Sequence, residues 1–123
     1  MDEYSRRQNR LEICMIEVDG KKLCIDPSLP VLRVLSRKYS LLVMLSIKIN
    51  GKGSNFNNVK AHIPLSSSTI ISKRLRELVN SGIISKSNTG GKLTYGLTEF
   101  GDKLLTSIEP FIKLVSDEKT SQV

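Results

Sequence analysis

The chain has 123 residues and a formal charge of +7, room for one domain with its own hydrophobic core but not for the layout of most multi-domain enzymes. Apolar residues at 39% and charged residues at 25% exclude a disordered or low-complexity chain, and the longest apolar run, residues 41–45, is far short of the roughly 20 residues of a membrane span. A polar segment after Met1 and only two cysteines, Cys14 and Cys24, argue against a signal peptide, a disulfide framework or a zinc site, so a soluble cytoplasmic protein without metal or cofactor is expected.

Residues 11–18 partly alternate, Asp19-Gly20 follows, and residues 21–25 form a second short run. Asp-Gly between two such runs signals a hairpin, although Cys14-Met15-Ile16 breaks the alternation and also fits one strand leading into a loop. A two-residue loop would pair Val18 with Lys21 and set Cys14 opposite Ile25, turning the two sulfurs to opposite faces. Two free thiols per chain are therefore expected.

Ser28 can cap a short helix carrying Leu32, Val34 and Leu35, with Pro30 in its first turn where the missing N–H costs nothing. Residues 39–49 are too densely apolar for a surface helix and belong in the centre of the domain, until Asn50-Gly51 ends them. Asn55 can cap a third helix through Phe56, Val59 and Ile63, which Pro64 stops. A fourth begins at Ser66. Its Ile71, Leu75, Leu78 and Val79 form one stripe, and Gly82 closes it.

The period then changes. Residues 83–86 and 93–97 read as two strands around a Gly-rich basic tip, residues 87–92. Thr98 caps a last helix with Phe100, Leu104, Leu105 and Ile108 on one face, and Pro110 begins or kinks its final part before a polar tail from Ser116. The expected fold is mainly α with a small β-hairpin wing (α+β): a winged helix-turn-helix with an additional amino-terminal β-hairpin. Its parts are an extension over 1–30, a DNA-binding core over 31–97, and a dimerisation helix with its tail over 98–123.

Charge is concentrated in that core. Residues 31–97 hold Arg33, Arg37, Lys38, Lys48, Lys52, Lys60, Lys73, Arg74, Arg76, Lys86 and Lys92 against Glu77 alone, while both ends are mildly acidic. Such a segment needs a polyanion or strong screening. With the apolar stripe of the fourth helix turned inward, Ser66, Thr69, Ser72, Lys73 and Arg76 lie on its outer face. There they can enter a major groove of double-stranded DNA, the cations on guanine edges or phosphates and the hydroxyls on phosphates or bases. Arg74 falls on the flank, where a backbone or intraprotein role is expected. Helix starts favour phosphate, so Ser66, Ser67, Ser68 and Asn57 are candidate backbone contacts, and Lys86 and Lys92 flank a tip slim enough for a minor groove or phosphate ridge.

These residues also resemble a known family. Cys24-x-Asp26-Pro27, Leu32-x-x-Leu35, Lys38-Tyr39-Ser40, Phe56-Asn57, residues 72–78, Gly82-Ile83-Ile84 and Tyr95-x-Leu97-Thr98-x-x-Gly101 are similar to the HxlR-type winged-helix transcription regulators, relatives of the MarR group, over roughly residues 24–112. The resemblance implies a homodimeric DNA-binding regulator, and a sensor role for thiol-reactive compounds at Cys24. The pattern departs where Ile25-Asp26 separates that cysteine from proline, where Tyr39 stands in place of tryptophan, and in the extra hairpin at 11–25. For Cys24 the alternatives are a thiolate stabilised by Lys21, Lys22 and the helix near Ser28, or a buried inert strand cysteine.

Leu104, Ile108, Phe111, Ile112 and Val115 exceed what one inward stripe requires and are the expected homodimer interface, since two copies reading two half-sites gain contact area and symmetry. His62, the single histidine, has no metal-ligand spacing around it, and no nucleophile-base pattern or phosphate loop points to an enzyme. The remaining alternatives are a sequence-tolerant architectural DNA binder and a winged helix serving as a protein-interaction module. The sequence identifies no small-molecule inducer.

Overall fold

The computed structural model describes residues 15–24, 29–51 and 53–121. Cys14, Ile25, the Asp26-Pro27 motif, the Ser28 cap and the thiol of Cys24 lie outside the described residues and side chains. The chain divides into two compact units, residues 1–33 and 34–123, and each is taken by itself.

In the first unit, β1 (Met15–Val18) and β2 (Lys21–Cys24) pair antiparallel. Asp19 and Gly20 both have positive φ, 51° and 78°, the backbone of a two-residue hairpin loop whose twist matches that of the strands. Val18 therefore pairs with Lys21, Ile16 with Leu23 and Met15 with Cys24. This is a hairpin and not one strand leading into a loop. Ile16, Val18 and Leu23 share its exposed apolar face. Helix α1 (Pro30–Leu35) opens on proline and runs across the division between the units.

The second unit is built around α2 (Ser40–Asn50), whose Val43, Met44 and Ile47 are buried. Tyr39, at φ 73°, turns the chain into this helix, and the buried Ser40 hydroxyl donates to the Val34 carbonyl. Helix α3 (Phe56–His62) starts on a reciprocal cap in which the Asn55 side chain accepts from Asn58 N–H at 2.8 Å and the Asn58 side chain from Asn55 N–H at 3.0 Å. Helix α4 (Ser68–Asn80) buries Ile71, Leu75 and Leu78 against them, so the stripe read from the sequence is the inner face. It ends in a Schellman motif: Gly82 N–H donates to Val79 O at 3.1 Å and Ile83 N–H to Leu78 O at 3.0 Å.

Strands β3 (Ile84–Thr89) and β4 (Lys92–Leu97) follow, antiparallel, with Gly90 and Gly91 at φ 59° and 82° forming a two-residue turn. The sequence reading ended the first strand at Lys86, because Ser87, Asn88 and Thr89 are weak strand formers. The ladder carries them regardless. A bridge between Ser54 and Tyr95, with Tyr95 N–H donating to Ser54 O at 2.7 Å, adds a short third edge to this sheet.

Helix α5 (Glu99–Ser121) begins at Thr98, whose hydroxyl accepts from Gly101 N–H at 2.9 Å. It passes through Pro110 and continues beyond Ser116, where a tail was expected. Its inward residues are Gly101 and Leu105, while Phe100, placed on the inner stripe from the sequence, is exposed. Among the described residues, no helix is long and apolar enough to cross a membrane. The order helix, turn, helix, hairpin is that of a winged helix-turn-helix.

Candidate nucleic-acid interface

Between α3 and α4 the chain makes a tight, internally bonded turn. Ile63 is buried, Ser66 N–H and hydroxyl both donate to its carbonyl, and the Lys60 ammonium donates to the Ser66 carbonyl. Ser66 is buried with its hydroxyl committed inside the turn. It is Ser67 that caps α4, accepting from Ile70 N–H at 3.2 Å. Ser68, Thr69, Ser72, Lys73 and Arg76 are exposed on α4, and Asn57 is exposed on the first turn of α3. The outer face is thus the one expected, less Ser66.

Arg74 does the intraprotein work expected of a flank position. Its side chain is largely buried, Nε donates to the Lys38 carbonyl at 2.7 Å, and Nη1 pairs with Glu77 at 3.2 Å. This ties α4 to the turn before α2. It also turns the one carboxylate of residues 31–97 away from the outer face. Lys48 is likewise engaged, 2.7 Å from Asp102 on α5; the hydrogen bond to Asp102 outweighs desolvation and, with the charges of Asp102 and Glu109, holds the Lys48 pKa above its ordinary value. By contrast, Lys73, Arg76, Lys86 and Lys92 form no salt bridge among the described residues. The cations on the outer face of α4 and on the β3–β4 hairpin thus carry unneutralised charge.

The hairpin register decides where the two wing lysines point. Lys86 pairs with Tyr95 and Thr89 with Lys92, so Lys86 shares a face with Ile84, Tyr95 and Leu97, and Lys92 lies on the opposite face. The face of Lys86 is turned to α4: Ser72, Arg76, Val79 and Asn80 from the helix and Lys86 and Tyr95 from the sheet line one cleft of about 320 Å³. Burial pushes the Tyr95 phenol above its ordinary pKa, so at neutral pH it keeps its proton and remains a donor. Asn80 and Tyr95 are additions that the one-dimensional reading did not select. The signal for Tyr95 was its alternation with Leu97 and Leu93; nothing in the sequence marked Asn80.

The base of the hairpin is held by the residues of the Tyr-x-Leu-Thr-x-x-Gly stretch. Thr98 donates its hydroxyl to Gly82 O at 2.6 Å and its N–H to Ile83 O at 3.1 Å. A Cβ on Gly101 would lie 2.0 Å from the Ile83 carbonyl oxygen, so only glycine permits this approach of α5 to β3. His62 is exposed, with Nδ1 2.9 Å from Ser46 Oγ and 3.0 Å from Asn58 O. Among the described residues, no group of three His, Cys, Asp or Glu is placed to hold a metal ion.

On α5, Leu104, Ile108 and Ile112 are half-buried and Phe111, Leu114 and Val115 are exposed, Phe111 by 61%. Leu104, Ile108, Phe111 and Val115 are spaced four, three and four residues apart, the spacing of a helix–helix seam.

Comparison with known proteins agrees with this geometry. Residues 34–122 match the family model of the HxlR-like helix-turn-helix. The chain is similar to the solved structure of a possible HxlR family transcriptional factor from Thermoplasma volcanium GSS1, at 36% identity and a TM-score of 0.76, covering 86% of this chain and 96% of that one. It is also similar in fold to a MarR family transcriptional regulator from Silicibacter pomeroyi DSS, at 23% identity and a TM-score of 0.61 over 70% of this chain and 58% of that one. The reduced form of the transcriptional regulator YodB from B. subtilis is a third fold relative, at 19% identity and a TM-score of 0.59 over 77% and 90%. No curated protein sequence matches the chain.

Proposed function

Because this chain belongs to the HxlR-like helix-turn-helix family, we propose that it is a homodimeric transcriptional regulator of the cytoplasm and not an enzyme, binding double-stranded DNA with α4 in the major groove and the wing alongside. The observation that carries this reading is the exposed outer face of α4, with Ser68, Thr69, Ser72, Lys73 and Arg76 free of carboxylates because Glu77 is engaged by Arg74. Asn57 and the Ser67 turn supply backbone contacts at the helix starts, and Lys86 and Lys92 add charge from the wing. The pairing surface is the seam of Leu104, Ile108, Phe111, Ile112 and Val115, of which Phe111 and Val115 are exposed large apolar side chains left to be covered.

The test is fluorescence anisotropy with DNA from the protein's own upstream region and with a scrambled duplex, each across a salt series, alongside sedimentation. A regulator prefers its upstream DNA by a factor of ~10³ or more, with a salt slope of roughly 0.9 per phosphate contacted, and sediments as a dimer. Equal binding to both duplexes would favour an architectural protein. No binding at low salt would refute the DNA reading in favour of a protein-interaction module, and a monomer at micromolar concentration would refute the seam.

A further inference from the structure

The outer face of α4 is not uniform. Ser72, Arg76 and Asn80 follow one another at i, i+4 and i+8 and form a single row. That row is walled by the sheet face of Lys86 and Tyr95. Lys73 stands about 60° round the helix from Arg76 at 100° per residue and does not line the cleft. Arg76 is also the ninth residue of α4, about 12 Å along the axis from Ser68 at 1.5 Å per residue, whereas base edges are reached from the first turns of a recognition helix.

We propose that the cleft between α4 and the wing is a single-phosphate subsite: Arg76 and Lys86 supply its charge, Ser72, Asn80 and Tyr95 its neutral donors, and Arg76 therefore grips the DNA backbone and does not read bases. This deepens the proposed DNA-binding reading and rests on it for the identity of the occupant as a backbone phosphodiester. The chemistry matches on each count. A phosphodiester carries one negative charge spread over two acceptor oxygens, and the cleft offers two cations from different elements with no carboxylate among its lining residues. Its neutral side chains include two hydroxyls and an amide, all able to donate.

The geometry behind the cleft is fixed. Tyr95 is held through its backbone to Ser54 at 2.7 Å and across the ladder to Lys86, and α4 is pinned from its other side by Arg74 to the Lys38 carbonyl. The two walls are thus set before a ligand arrives, which removes much of the ordering cost of gripping an anion. Lys92, on the far face of the hairpin, is outside the subsite. Sequence reading is then the task of Ser68, Thr69 and Lys73.

Two measurements on the full chain separate this proposal from the reading beneath it. In the DNA assay, R76A and K86A are expected to weaken binding to the upstream and scrambled duplexes by the same factor, about tenfold or more, leaving their ratio unchanged. Because both address one phosphate, the double variant should lose less than the product of the two single losses. K73A should instead lower the ratio. Independently of DNA, titration with inorganic phosphate followed by NMR should shift the Arg76 Nε–H signal saturably, weakly in K86A and undiminished in K92A. A ratio that collapses in R76A, multiplicative losses in the double variant, or no phosphate-induced shift overturns the subsite even if DNA binding stands. A phosphate shift in a protein that binds neither duplex supports the subsite as a site for a free phosphate and overturns the DNA reading.

Discussion

The wing has a root and a tip that obey different rules. At the root, residues 82–84 and 97–101 meet through backbone and hydroxyl bonds, with Ile83 and Ile84 fully enclosed and Gly101 in backbone contact with Ile83. At the tip, residues 88–92 are exposed, and the open space around Gly90 and Gly91 would admit a Cβ. The root sets the direction in which the hairpin leaves the domain, and so which face looks at α4. The tip carries charge and turn geometry but is answerable to no packing. Constraint and chemistry are thereby separated along one hairpin, so changes at the root should act through stability and changes at the tip through binding.

The largest effect is expected from Gly101→Ala. A methyl 2.0 Å from a carbonyl oxygen cannot be accommodated without parting α5 from β3, at a cost on the order of 3 kcal/mol, measured as a lowered urea midpoint with unchanged slope. Next, Thr98→Val keeps the shape but removes the hydroxyl that caps α5 and bonds Gly82; a loss of about 1–2 kcal/mol is expected by the same measurement. If either variant leaves stability intact, the root is not the anchor described.

At the tip, Gly91→Ala forces a methyl-bearing residue to φ 82°. About 1 kcal/mol of stability should be lost, with a larger proportional loss in DNA affinity than Thr98→Val shows, read by anisotropy. A drop in affinity no greater than that of the root variant would erase the distinction between the two regions.

The smallest effect concerns the ion pair that joins the first turn of α5 to α2. Lys48 has its folded-state pKa raised above the unfolded 10.5, chiefly by the hydrogen bond to Asp102. Its contribution is therefore fully present below pH 10.5 and lost as pH rises through the higher folded value. Both partners are largely solvent-exposed, so the contribution is screened by salt. Lys48→Met should flatten the alkaline limb of the stability profile and lower the neutral value by the same small amount, converging with the native protein at high pH, measured by thermal melts from about pH 7 upward at low salt.

Much of this molecule was legible in one dimension because its signals are local. The caps at Asn55 and Thr98, the inward stripe of Ile71, Leu75 and Leu78, and the stop at Gly82 each depend on neighbours within a turn or two. The Asp19-Gly20 loop likewise carries its own register. The sequence does not decide which of three successive serines, Ser66, Ser67 or Ser68, caps α4, since each suits a cap, and only the buried turn around Ile63 spends the Ser66 hydroxyl inside and leaves the cap to Ser67. The periodicity of α5 places Phe100 on the inner stripe but does not state the phase of the helix, which is set where Gly101 meets Ile83 and leaves Phe100 exposed.

The sequence alone determined the helix-turn-helix order, the basic outer face of α4 and the apolar excess on α5, since these follow from periodicity, turn chemistry and composition. Tertiary structure alone decided that Lys86 and Lys92 face opposite ways, that Glu77 is drawn to Arg74, and that Ser72, Arg76, Asn80, Lys86 and Tyr95 surround one cleft. The physical reason is the range of the interactions. Each of the first group is settled within a few residues of chain, whereas the second depends on ladder pairing and on packing between elements that the chain connects only at a distance.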